Sequence, residues 1–280
     1  MKQIQLYTLL CSFFILLGCS KEPTINPDPS PTEEPGLTLT EQDKIGLVWS
    51  EEFEGSTLNS QLWSYDLGDG SAYGIPGWGN QEEQTYTSNS KNIKLENGYL
   101  KITARKENVD NKNYTSARIK SQNKFDFKQG RLKVRAKFPQ SKGTWPAIWL
   151  MGQNIDQVGW PSCGEIDLVE QNGQEKNKIL GTVHWLNSSD NSNAKFGTEL
   201  VSNSIGDSFK EYILIWDTNS IKMYVESVKY FEMNINSSMP FDQPFFLLLN
   251  LAMGGSLGGT IDSNFSSDTF TIDYMRLYEN

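Results

Sequence analysis

Between residues 131 and 138 the chain alternates without a break, with Leu132, Val134, Ala136 and Phe138 apolar and Arg131, Lys133, Arg135 and Lys137 cationic. A repeat of two residues belongs to a strand with one buried and one wet face, and cannot be satisfied by a helix. No segment of the chain beyond residue 45 sustains a helical repeat. Residues 93–95 and 99–104 flank Glu96-Asn97-Gly98, and residues 212–216 and 221–225 flank a short polar turn, so both stretches predict hairpins. Residues 245–249 are continuously apolar, as in a strand covered on both faces, and 270–277 supply a last strand. Short strands separated by turns predict an all-β protein, a sandwich of two antiparallel sheets.

One strand breaks its own alternation. Glu165-Ile166-Asp167-Leu168-Val169-Glu170 carries three carboxylates in six residues. In a regular strand Glu165 and Asp167 share a face and Glu170 points to the other. A β-bulge near Leu168 or Val169 adds one residue, returns Glu170 to the acidic face and leaves Ile166 and Leu168 or Val169 for the core. The two outer carboxyls would then stand about 5–6 Å apart, a separation that suits double-displacement glycoside hydrolysis. Trp145, Trp149 and Trp160 precede this strand and His184-Trp185 follow it. Flat apolar rings match the faces of pyranose sugars, whereas a solvated acidic surface has no use for them.

These features sit in a recurring order. Gly77-Trp78-Gly79-Asn80-Gln81-Glu82, Tyr114-Thr115-Ser116-Ala117-Arg118, Gly143-Thr144-Trp145-Pro146-Ala147-Ile148-Trp149, Gly164 followed by the acidic strand, Gly181-Thr182-Val183-His184, Leu249-Asn250-Leu251-Ala252-Met253-Gly254-Gly255 and Asp273-Tyr274-Met275-Arg276-Leu277-Tyr278 follow one another along the chain. Residues 47–278 resemble glycoside hydrolase family 16, and within it the bacterial laminarinases, which are endo-β-1,3-glucanases. The resemblance implies a β-jelly roll with an open concave substrate cleft and a retaining mechanism. It implies Glu165 as nucleophile, Glu170 as acid/base and Asp167 as the carboxyl between them. It places Asn80, Arg118, Trp145, Trp149, Trp160 and His184 against the sugar chain, although Trp149 also suits the core. Trp49, Trp63 and Trp216 are expected in the core, and Trp78 and Trp185 remain open. No cofactor is expected for catalysis. A structural calcium ion is implied on the convex face, held by the main-chain carbonyls of Glu52 and Gly98 and by Asp273; a plain hydrogen-bonding role for Asp273 is the alternative.

The extra residue before the last glutamate of the acidic motif is the laminarinase version and favours β-1,3-glucan over lichenan. Mixed-linkage β-glucan or a galactan is the alternative substrate within the family. A surface glycan-binding lipoprotein that does not cut is the alternative outside catalysis, and the presence of both glutamates argues against it.

The ends and the charge bound the setting. Residues 1–18 carry Lys2 and then an apolar run too short to span a bilayer. Leu16-Leu17-Gly18-Cys19 resembles a lipobox, so 1–18 is expected to be a lipoprotein signal peptide and Cys19 the acylated residue. Residues 19–44, rich in Pro, Glu, Ser and Thr, are expected to be a disordered tether, with one catalytic domain over 45–280. The expectation is an exported bacterial lipoprotein of the outer membrane, monomeric and touching membrane through its anchor alone. Cys163 is the one cysteine left in the domain, which excludes an intrachain disulfide there. His184 is the single histidine of the chain, which excludes multi-histidine metal sites. A formal charge of −9 and a pI near 4.8 argue against nucleic acid as partner and suit a neutral polysaccharide.

Overall fold

The computed structural model describes residues 36–37, 40–206 and 208–280. The expected signal segment, Cys19 and the tether as far as residue 35 lie outside the described residues.

Two sheets face each other in a jelly-roll sandwich. The alternating segment forms the strand Gly130–Lys137 at the centre of one sheet. Its Leu132, Val134 and Ala136 are fully buried against the second sheet, and each Leu or Val side chain so buried stabilises the fold by roughly 1.5–3 kcal/mol. Its cations face outward and pair: Lys133 with Glu211 and Arg135 with Asp273. The 93–104 hairpin closes on Asn97 and Gly98 alone, at φ 58° and 77°, because Glu96 still belongs to the strand Ile93–Glu96 and pairs with Tyr99. Left-handed dihedrals at both turn positions give the primed geometry that follows strand twist. The apolar run extends to Phe245–Met253, buried along its whole length. One pairing departs from the all-antiparallel expectation: Gln84–Tyr86 runs parallel to Lys112–Ser116.

The second sheet carries the acidic strand Glu165–Gln171. On one side of it lie Thr144–Gly152, Phe245–Met253, Arg118–Lys120 and Ser64–Asp66, in that order. On the other side lie Lys178–Asn187 and then Ser192–Val201 at the edge.

Three of the described residues before position 45 bond to the domain. Gly36 N–H donates to the Asn97 carbonyl (2.9 Å), Leu37 N–H to Asp273 Oδ1 (3.0 Å), and Asp43 stands 3.3 Å from Arg276 Nη1. The boundary expected at residue 44 is therefore too late: Gly36, Leu37 and Asp43 already find partners on the domain.

Candidate active site

The bulge is present, and it falls at Leu168. Trp149 pairs with Asp167 and Ile148 with Val169, so Leu168 has no opposite residue on that side. On the other side Asp167 pairs with Thr182 and Glu170 with Leu180, so Leu168 and Val169 stand against Gly181 alone. Leu168 and Val169 are both fully buried, so the bulge adds a side chain to the core as well as restoring Glu170 to the acidic face. The carbonyl of Leu168 accepts a hydrogen bond from the Tyr230 hydroxyl, which gives the irregular backbone a buried partner.

Each outer glutamate is held by an indole. Trp160 N–H donates to Glu165 Oε2 (2.9 Å) and Trp145 N–H donates to Glu170 Oε1 (2.8 Å). The two tryptophans come from different segments. Trp160 is half exposed on the loop after Gly152, whereas Trp145 is buried at the start of its strand. Beside Trp145 the backbones of two loops meet directly: a Cβ on Gly173 would stand 2.0 Å from the Gly258 carbonyl, so a larger residue is excluded there.

Burial pushes both Glu165 and Glu170 up to about 7, and pushes Asp167 well above the carboxylate range with added repulsion from its two neighbours. The three titrate as one interacting row. Their surroundings nevertheless differ. Glu165 accepts from the Asp167 carboxyl and from Trp160 and feels the Arg118 charge, all of which favour its ionised form. Glu170 has one such donor, Trp145, and the charges of Glu165 and Glu82 hold its proton on. The donors around Glu165 thus favour its charge while the carboxylates around Glu170 oppose its own, the division that a nucleophile and an acid require. His184 Nε2 lies 3.6 Å from Asp167 Oδ2, and burial followed by the Lys195 charge lowers its pKa, so at neutral pH it is an uncharged neighbour of the row.

Arg118 faces the acidic row across two intervening strands. Its guanidinium carbon lies 4.4 Å from the Trp78 ring centroid and 4.8 Å from that of Trp149, and Asp66 sits 3.0 Å from its Nε. The planar cation is thereby fixed between two indoles, a position lysine would not fill. Trp149 is therefore on the acidic face, not in the core between the sheets, and Trp78 is a wall of the same sandwich. Trp185 packs against the core beside Phe241. Trp63 and Trp216 are core residues, and Trp49 stacks on Phe125 at its margin. Asn80 is exposed; its side chain reaches Glu82 and its carbonyl accepts from Ser256 N–H (3.0 Å). Cys163 is a buried thiol against Met151, with burial pushing it up to about 12, which removes it as a nucleophile.

Sequence reasoning missed Asp66, Glu82, Tyr86 and Asn250 as parts of this site. Glu82 and Asn250 stand inside quoted motifs, which was the available signal.

Of the expected calcium ligands, Gly98 and Asp273 are brought close, and the Asp273 carboxylate already has two donors. Gly98 and Asp273 meet at Gly36, where a Cβ would lie 2.5 Å from the Gly98 carbonyl and 2.9 Å from Asp273 Oδ1. The Asp273 carboxylate accepts from Leu37 N–H on one oxygen and from Arg135 on the other, while the Glu52 side chain grips Arg276 at 3.0 and 2.8 Å. A divalent cation does not fit this set, because its one anionic ligand already faces a guanidinium.

Residues 80–276 match the family model described as glycosyl hydrolases family 16. The chain is 33% identical over 280 residues to a β-glucanase of Rhodothermus marinus, covering 94% of this chain and 91% of that one. It is 30% identical over 264 residues to glucan endo-1,3-β-glucosidase A1 of Niallia circulans, covering 84% of this chain but spanning only 38% of that protein's length. The laminarinase catalytic domain of Thermotoga maritima superimposes with a TM-score of 0.76 at 37% identity, covering 84% of this chain and 98% of that domain. By its bulged acidic strand, by the order of its motifs and by these matches, the chain belongs to glycosyl hydrolases family 16.

Proposed function

We propose that this protein is an endo-acting, retaining glycoside hydrolase that cuts β-1,3-glucan of the laminarin type. The observation that carries the reading is the bulged strand with Glu165 and Glu170 on one face, each held by its own indole N–H from a different wall. Ionised Glu165 attacks the anomeric carbon while Glu170 transfers its proton to the departing glycosidic oxygen, leaving a glycosyl ester on Glu165. Glu170, now a carboxylate, takes a proton from water; that water cleaves the ester and restores Glu165, and two inversions leave the β-anomer. Asp167, held protonated between them, donates to Glu165 and steadies its charge. Arg118, Trp145, Trp149, Trp160, Asn80 and His184 line the path of the glucan chain.

β-1,3-Glucan is favoured over a galactan by the laminarinase form of the acidic motif and by the names of the Niallia and Thermotoga relatives. Reducing-end release from purified laminarin, with lichenan, agarose and carrageenan in parallel, tests the substrate. Laminarin should be cut fastest, with short oligosaccharides among the first products. Glucose as the sole first product would indicate an exo-acting pocket instead. The lipobox at Leu16-Leu17-Gly18-Cys19 supports attachment to the outer membrane through an acylated Cys19. Cys19→Ser should move the protein out of the detergent phase, and continued partitioning would refute the anchor.

A further inference from the structure

A buried carboxylate, Glu82, takes no part in the acidic row yet collects hydrogen bonds that begin at the sugar-facing side chains. Glu82 is 6% exposed, Tyr86 2%, Gln84 0% and Asn250 6%. Trp149 Nε1 lies 2.7 Å from Asn250 Oδ1, Asn250 Nδ2 lies 3.1 Å from the Tyr86 hydroxyl, and that hydroxyl lies 3.0 Å from Glu82 Oε2. An indole N–H can only donate, so the oxygen of Asn250 must face Trp149 and its NH₂ must face Tyr86. Tyr86 then accepts from Asn250 and gives its own proton to Glu82. A second arm has the same direction. Met253 N–H donates to Gln84 Oε1 (2.7 Å), which turns the Gln84 NH₂ toward Glu82 Oε2 (2.6 Å). Every donor in the network points toward one carboxylate, and only an acceptor at that position lets all of them be satisfied.

We propose that Glu82 is a positioning residue for glucan binding, acting through Tyr86, Asn250 and Trp149 to hold the Arg118 sandwich in place. Without an acceptor at 82 the Tyr86 proton must turn to Asn250, the amide must flip, and Trp149 N–H then faces an NH₂ group. Trp149 loses its anchor and the guanidinium loses one of its two walls. Arg118 binds sugar in ground state and transition state alike, so the loss falls on KM rather than on kcat.

The inference rests on the proposed reading of this face as a glucan site, and the experiment separates the two. Kinetics are measured on whichever of laminarin, lichenan and agarose the wild type cuts, so a wrong substrate assignment shows in the wild type while the role of Glu82 shows in the ratio of variant to wild type. Each variant is compared at its own pH optimum, because removing the Glu82 charge also eases proton loss from Glu170. Glu82→Met, similar in shape without an acceptor, should raise KM about tenfold with kcat within about threefold. Glu82→Gln can present its oxygen to Tyr86 and Gln84 and should return KM to within about threefold of wild type. In a Trp149→Phe background, where the N–H is already gone, Glu82→Met should add nothing further. Should Glu82→Met fail to fold, Tyr86→Phe cuts the same chain one link along and should also raise KM. An unchanged KM, a fall in kcat alone, or an effect of the same size in the Trp149→Phe background would overturn the proposal.

Discussion

The strands on the two sides of the acidic row are built to different standards. Toward Phe245–Met253 and Arg118–Lys120, the face is assembled from buried Trp145, Asn250 and Asp66 and from half-buried Trp149 and Arg118 held by them or by neighbouring rings. Toward Lys178–Asn187 and Ser192–Val201, the positions paired with the acidic strand are His184, Thr182 and Leu180, and beyond them Lys195, Gly197 and Glu199, all three exposed. The rings on this side are the His184 imidazole and, with its centroid 6.0 Å away, the half-exposed Trp160 of the preceding loop. The difference teaches where binding energy is concentrated. A preorganised surface loses little entropy when sugar arrives, whereas exposed side chains must be ordered first. On the proposed reading, more of the binding energy for glucan comes from the Arg118 side of the row than from the Lys195 side.

The largest effect expected lies on the row that divides the two sides. Glu165→Ala should lower kcat on the order of 10⁴-fold or more while laminarin binding persists. Glu170→Ala should retain slow cleavage of aryl glycosides with good leaving groups, because only protonation of the departing oxygen is lost. Equal residual activity of the two variants on such a substrate would mean the roles are reversed.

The contrast between the sides is tested next. Arg118→Ala should raise KM about 10–100-fold, as expected for a cation that loses its hydrogen bonds to sugar, and Lys195→Ala should change KM by no more than about twofold. Comparable losses in both, measured as initial rates on laminarin, would remove the asymmetry.

A smaller effect appears in pH. The reaction needs Glu165 ionised and Glu170 protonated, so kcat/KM should fall as pH drops through the lower apparent pKa of the row and as it rises through the upper one. Trp145→Phe removes the N–H that favours ionised Glu170, so its alkaline limb should move to higher pH by less than about one pH unit. A shift toward lower pH would contradict the part given to Trp145.

The architecture and the row were legible in the sequence because both depend on local spacing. Alternation over 131–138 marked the strand that spans Gly130–Lys137, and three carboxylates at an offset that one regular strand cannot put on one face demanded the bulge. The polar network was not legible for the same reason: Tyr86 meets Asn250 across 164 positions, and Asp66, Arg118 and Trp78 converge from three segments. Calcium was expected from the resemblance of Glu52, Gly98 and Asp273, but spacing along the chain does not reveal that Arg135 and Leu37 N–H occupy the carboxylate. A chelator should accordingly change the melting temperature by less than about 1 °C, the smallest effect expected here, and a clear drop reversed by calcium would restore the ion.

The central claim is that the bulge at Leu168 sets Glu165 and Glu170 as a double-displacement pair. Proton NMR of the reducing end first released from laminarin, recorded before mutarotation, tests it most directly. The β-anomer should appear ahead of the α-anomer; an initial α signal would mean inversion by a single displacement and would remove Glu165 as nucleophile.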